Sequence, residues 1–128
     1  MDRFVLVVLL VGMPSVANAV EYECNVTRKL NSEIVYTREQ LQRGQFSVRI
    51  TDSRDKASLS RCSFAASAGK VTCDRYEVDR IAFDENVRIK KYYVFRSQFD
   101  VQVFSDLSFI ENNGRGDISY GKCEVVSP

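Results

Sequence analysis

A chain of 128 residues with 18 basic and 17 acidic side chains, a net charge of +1 and no histidine carries no electrostatic footprint for nucleic acid. The lack of histidine also excludes Ser-His-Asp and Cys-His catalysis and the histidine-bearing zinc sites. No charge block, low-complexity tract, heptad or internal repeat interrupts the sequence.

Residues 1–19 read as a secretory signal peptide: Arg3, the apolar run Phe4 to Met13, the helix breaker Pro14 and the small-residue ending Ala17-Asn18-Ala19. The apolar run is about half of what a helix needs to cross a bilayer, so no membrane anchor is expected once the signal is cleaved. Residues 20–128 are then one domain in the periplasm or outside the cell. There Cys24, Cys62, Cys73 and Cys123 meet an oxidising medium. So small a domain buries only a modest core, and disulfides compensate for that.

Alternation with period two dominates the mature chain. Cys24 opens the first strand, next to Asn25-Val26-Thr27, which has the form of a glycosylation acceptor. Thr37 suits the cap of a short helix over residues 38–43, with Gln40 completing a capping box, Tyr36 and Leu41 forming a hydrophobic staple and Gly44 ending it. Phe46, Val48 and Ile50 then alternate with polar residues, and Asp52 to Lys56 is a turn. A hairpin about Ser67-Ala68 sets Cys62 opposite Cys73 and Phe64 opposite Val71, a register that suits a cross-strand bridge. Cys24 and Cys123 are left to tie the first strand to the last. Four cysteines allow three pairings, and local geometry favours this one.

Tyr76 and Val78 share one phase and Ile81 and Phe83 the other, which predicts a bend near Asp79-Arg80 of the kind that curls a sheet toward closure. After the Asp84-Glu85-Asn86 turn, alternation puts Val87, Ile89, Tyr93 and Phe95 on a buried face and Arg88, Lys90, Tyr92 and Arg96 on the wet one. Phe99, Val101 and Val103 continue the pattern. Asn113-Gly114 suits a type I′ turn, which would set Phe109 opposite Ile118 and Leu107 opposite Tyr120. The sum is an all-β antiparallel meander of about eight strands, a closed or nearly closed β-barrel or alternatively a β-sandwich, with one short helix. Phe46, Phe83, Tyr93, Phe95, Phe99 and Phe109 are expected to fill its interior.

Chemistry is sparse. No Cys-x-x-Cys pair is present, so no metal or cofactor is expected and no catalytic residue is named. Asp74, Glu77, Asp79, Asp84 and Glu85 could supply a carboxylate pair for a hydrolase, but interleaving with Arg75, Arg80 and Arg88 marks them as solvated strand and turn charges. Arg115-Gly116-Asp117 spells an integrin-recognised tripeptide, and the adjoining turn explains it better. Two surfaces are candidates for binding: Lys90, Lys91 and Tyr92, which mix cations with an aromatic ring, and Asn112, Asn113 and Arg115 at a projecting hairpin tip. The expected function is that of a non-enzymatic binding module whose partner is an envelope protein or glycan. Tyr22-Glu23-Cys24 and Tyr120-Gly121-Lys122-Cys123 resemble, in layout, the small periplasmic lysozyme inhibitors, which are compact β-barrels with cysteine near both chain ends. That resemblance implies inhibition of a cell-wall hydrolase as an alternative and transfers no functional residue.

Overall fold

The computed structural model describes residues 19–127. The signal segment read at residues 1–19 lies outside these, apart from Ala19. Nine strands and one short helix follow in chain order: β1 (Val20–Leu30), α1 (Arg38–Gly44), β2 (Ser47–Asp52), β3 (Ala57–Ala65), β4 (Lys70–Glu77), β5 (Arg80–Asp84), β6 (Ile89–Val94), β7 (Phe99–Val103), β8 (Ser108–Asn112) and β9 (Ile118–Ser127). All strand pairs are antiparallel, and one sheet runs in the order β4-β3-β2-β1-β9-β8-β7-β6-β5, curled into a half-barrel. Among the described residues there is no second sheet, so the sandwich alternative falls away.

The two ends of the sheet meet at a corner. The Val78 amide donates to the Ala57 carbonyl at 3.0 Å and the Asp79 amide to the Tyr93 carbonyl at 2.8 Å. β4 and β5 are thus two halves of one bent strand that leaves β3 and joins β6, close to where the phase change at Asp79-Arg80 put the bend. This is also why nine strands are found where alternation suggested about eight.

Both disulfides form as read, Cys24–Cys123 across β1 and β9 and Cys62–Cys73 across β3 and β4, and Phe64 stands opposite Val71. Thr37 caps α1 with the full capping box. The residue that ends the helix in the left-handed region is Gln45 (φ 47°) and not Gly44. Gly44 is needed for a different reason: a Cβ there would lie 2.2 Å from Cε2 of Phe46, whose ring folds back against the helix end.

Inside the curl lie Cys24, Val48, Ile50, Leu59, Tyr92, Val94, Phe99, Val101, Val103 and Phe109, with Tyr76, Val78 and Ile81 packed against them. The phase expected for β6 is reversed. Tyr92 and Val94 point inward while Val87 and Phe95 stay exposed, and Tyr93 stacks on Phe95 on the outer face at 5.9 Å. Residues 92–95 are apolar on both faces, so alternation there cannot choose a side. The choice falls to β7, where Phe99 and Val101 pair with Val94 and Tyr92, and to Asp52, which accepts the Tyr92 hydroxyl at 2.7 Å. Of the six bulky rings expected inside, only Phe99 and Phe109 are buried; Phe83 and Phe95 are exposed, and Phe46 and Tyr93 are half-buried.

The last hairpin also departs from expectation. Asn112 pairs with Ile118 and Phe109 with Gly121, a shift of register produced by a five-residue loop in place of a two-residue turn. Asn113 Oδ1 accepts the amides of Arg115 (2.7 Å) and Asp117 (3.0 Å), and this closes the loop. The new register makes Gly121 indispensable, since a Cβ there would fall 1.8 Å from the Asn25 carbonyl oxygen and 2.6 Å from the Phe109 ring. Gly121→Ala forces β1 and β9 apart and should lower stability by about 2 kcal/mol. An unchanged urea midpoint would refute the register.

Candidate functional site

The half-barrel has two ends, each holding buried charge. Loops 53–56, 85–88 and 104–107 form one end; α1 and loops 66–69, 95–98 and 113–117 form the other, called here the helix end.

At the loop end Asp52 is buried and receives the Tyr92 hydroxyl, the Lys90 ammonium and the Arg54 amide (2.9 Å). Burial alone would raise the Asp52 carboxyl, but the bonds from Lys90, Tyr92 and Arg54 together outweigh it and hold the group below the ordinary carboxylate range. Burial first, and the bond to Asp52 second, push the Tyr92 phenol far up, so it is a fixed donor. A carboxylate held charged and a phenol held neutral make a structural lock and not an acid-base pair.

The lock decides the fate of the first binding candidate. Lys90 and Tyr92 face inward and are consumed by Asp52, which leaves Lys91 alone on the outer face. The second candidate sits at the opposite end of the molecule, and its amides are spent on its own loop: Asn112 Oδ1 accepts the Gly114 amide at 2.9 Å, and Asn113 closes the turn. Only Arg115 projects, its guanidinium reaching back to the Asn113 carbonyl at 3.3 Å. The six residues therefore form no common surface. The acidic cluster fares no better as chemistry, for Asp74, Glu77, Asp79, Asp84 and Glu85 are all exposed. Glu77 pairs with Arg75 at 3.1 Å, while Asp79 and Asp84 accept backbone amides.

The helix end holds the site that alternation does not reveal. β1 carries Tyr22, Cys24 and Val26 on its inner face; a register shift between Val26 and Arg28 then reverses the phase and turns Lys29 inward, opposite Ser119. Lys29 is 8% exposed. Its Nζ lies 4.5 Å from the Phe46 ring centroid and 5.7 Å from that of Tyr36, two rings that meet edge-on at 6.0 Å. Beside it Arg61 grips Glu111 with two parallel bonds, Nε to Oε2 at 3.2 Å and Nη2 to Oε1 at 3.1 Å, and its Cζ lies 5.0 Å from the Phe99 ring centroid. Arg61 and Glu111 neutralise one another. Among the described residues no carboxylate oxygen comes within 4.0 Å of the Lys29 ammonium.

This cluster opens on a cavity of about 190 Å³ walled by Val26, Phe46 and Ser119 as well as the charged groups, with exposed Asp74 at its rim. A larger hollow of about 580 Å³ lies between α1 and the strands β1 and β2, where Leu41, Phe46 and Val71 share the walls with the exposed side chains of Arg38, Gln42 and Arg49. The smaller cavity is the better candidate, because a charge removed from water interacts far more strongly than one left in it. Cation–π contact with Phe46 offsets part of the cost of burying Lys29. The Lys29 side chain is mostly buried while its ammonium opens onto the cavity, and with no carboxylate within 4.0 Å among the described residues it is arranged to receive a negative group. Nothing in residue order signals Lys29; only the bulge aims it. Comparison with protein-family models, with curated proteins and with solved structures finds no match to this chain.

Proposed function

We propose that this protein is an exported, non-enzymatic binding module of the periplasm or cell exterior, which takes its ligand at the helix end of a rigid half-barrel. The observation that carries this reading is Lys29, an ammonium turned into the barrel mouth with no carboxylate within 4.0 Å among the described residues. Two disulfides suit an oxidising compartment. β1 begins at Val20, the residue after the Ala17-Asn18-Ala19 ending of the signal. The buried carboxylates, Asp52 and Glu111, are each held by a cation, and the remaining acidic cluster is solvated. Such carboxylates lack the apolar pocket that a general acid needs.

The test is affinity capture with the oxidised mature protein as bait, from envelope extract and from a panel of lysozyme-type hydrolases, with mass spectrometry of what is retained. A stoichiometric component is expected. If that component is a hydrolase whose activity falls on binding, the module is an inhibitor. Turnover of an envelope substrate by the bait itself would contradict the reading.

A further inference from the structure

We propose, resting on the binding-module reading, that the helix-end cavity receives the terminal carboxylate of a peptide whose last residue is small. Charge selects the carboxylate: Arg61 and Glu111 cancel, and the Lys29 ammonium has no carboxylate within 4.0 Å among the described residues, the other acid of the lining, Asp74, standing exposed at the rim. Size selects the residue. A cavity of about 190 Å³ suits a short side chain beside the carboxylate and leaves little room for a large one. The walls match both parts, Val26 and Phe46 being apolar against a methyl group and Lys29 and Ser119 polar toward the carboxylate oxygens.

The position of Asp74 sets the orientation. It stands opposite Arg61 on β4 and is exposed at the rim, so a second negative group of the ligand is disfavoured there while the amide end of a peptide is not. A bare multivalent oxyanion such as phosphate meets Glu111 and Asp74 without an apolar contact in return. The bulge that aims Lys29 is itself fixed by the packing of Gly121 on the Asn25 carbonyl, so the ammonium is held in place before any ligand arrives.

The experiment is a titration of the oxidised mature protein, followed through backbone amide shifts, with three probes: N-acetyl-alanine, its neutral carboxamide and inorganic phosphate. N-acetyl-alanine is expected to shift the amides of Val26 to Lys29 and of Ser119 saturably. The carboxamide and phosphate should each bind at least tenfold more weakly. Lys29→Gln should weaken N-acetyl-alanine at least tenfold, and Lys29→Arg should restore binding. The comparison of acid with carboxamide needs no variant, so a folding defect in Lys29→Gln cannot hide the answer. Equal binding of acid and carboxamide, phosphate binding as tight as the acid, or no saturable shift at the mouth would each overturn the proposal. Capture of an envelope component that N-acetyl-alanine does not displace would overturn it too, while leaving the binding-module reading standing.

Discussion

Replacing Cys24 and Cys123 together by alanine should lower the unfolding free energy by between about 4 and 5 kcal/mol, and replacing Cys62 and Cys73 by only about 3 kcal/mol. The asymmetry follows from loop length. The first bridge spans 99 residues and the second spans 11, and cross-linking removes more freedom from the unfolded chain when the loop is longer. A domain of this size has a total stability of about 5 to 15 kcal/mol, so loss of the first bridge takes a large share and should lower the melting temperature by about 20 °C. Location adds to the effect: Cys24 and Cys123 both belong to the core cluster, while of the second pair Cys62 is buried outside that cluster and Cys73 is exposed. Thermal unfolding of both double variants checks this. Equal losses, or a larger loss for Cys62 and Cys73, would contradict the account of what holds β1 to β9.

Asp52→Ala should cost about 3 kcal/mol at neutral pH, because it strands the buried Tyr92 hydroxyl and leaves the half-buried Lys90 ammonium without its partner. The sign of the pH dependence follows from the direction of the shift. The folded-state carboxyl is held below its ordinary 3.8, so its contribution is complete above that value and drains away as the pH falls through the lower, folded-state one. Asp52→Asn lacks this titration. Its stability gap to the parent protein should therefore be widest at neutral pH and close progressively in acid below about 3.8. Asp106, also held low by its bonds from Ser108, is present in both proteins and cancels in the comparison. Urea unfolding across the acid range measures the gap, and a gap that widens in acid would refute the lock.

How much of this could be read from residue order depended on whether a segment had one apolar face or two. β2 and β7, with a single apolar face, were legible, as were the Cys62–Cys73 hairpin and the bend at Val78–Asp79, where the phase changes visibly. The run Tyr92-Tyr93-Val94-Phe95 was not, because both faces are apolar and the partner that decides, Asp52, lies 40 residues away. The last hairpin misled in another way: Asn113-Gly114 is strong two-residue turn chemistry, but Asn113 uses its side chain to close five residues. The candidate site was illegible for the same kind of reason. Lys29 reads as an outward cation until the bulge reverses the phase of β1, and a bulge depends on Gly121, nearly the whole chain away.

The most direct test of the central claim is co-sedimentation of the oxidised mature protein with isolated envelope material, with mass analysis of whatever the supernatant gains. Saturable partition into the pellet, weakened by Lys29→Gln, with no new soluble fragments, is the expected result. Release of fragments that Asp74→Asn or Glu77→Gln abolishes without unfolding the protein would contradict it, and would make the solvated acidic cluster the working site.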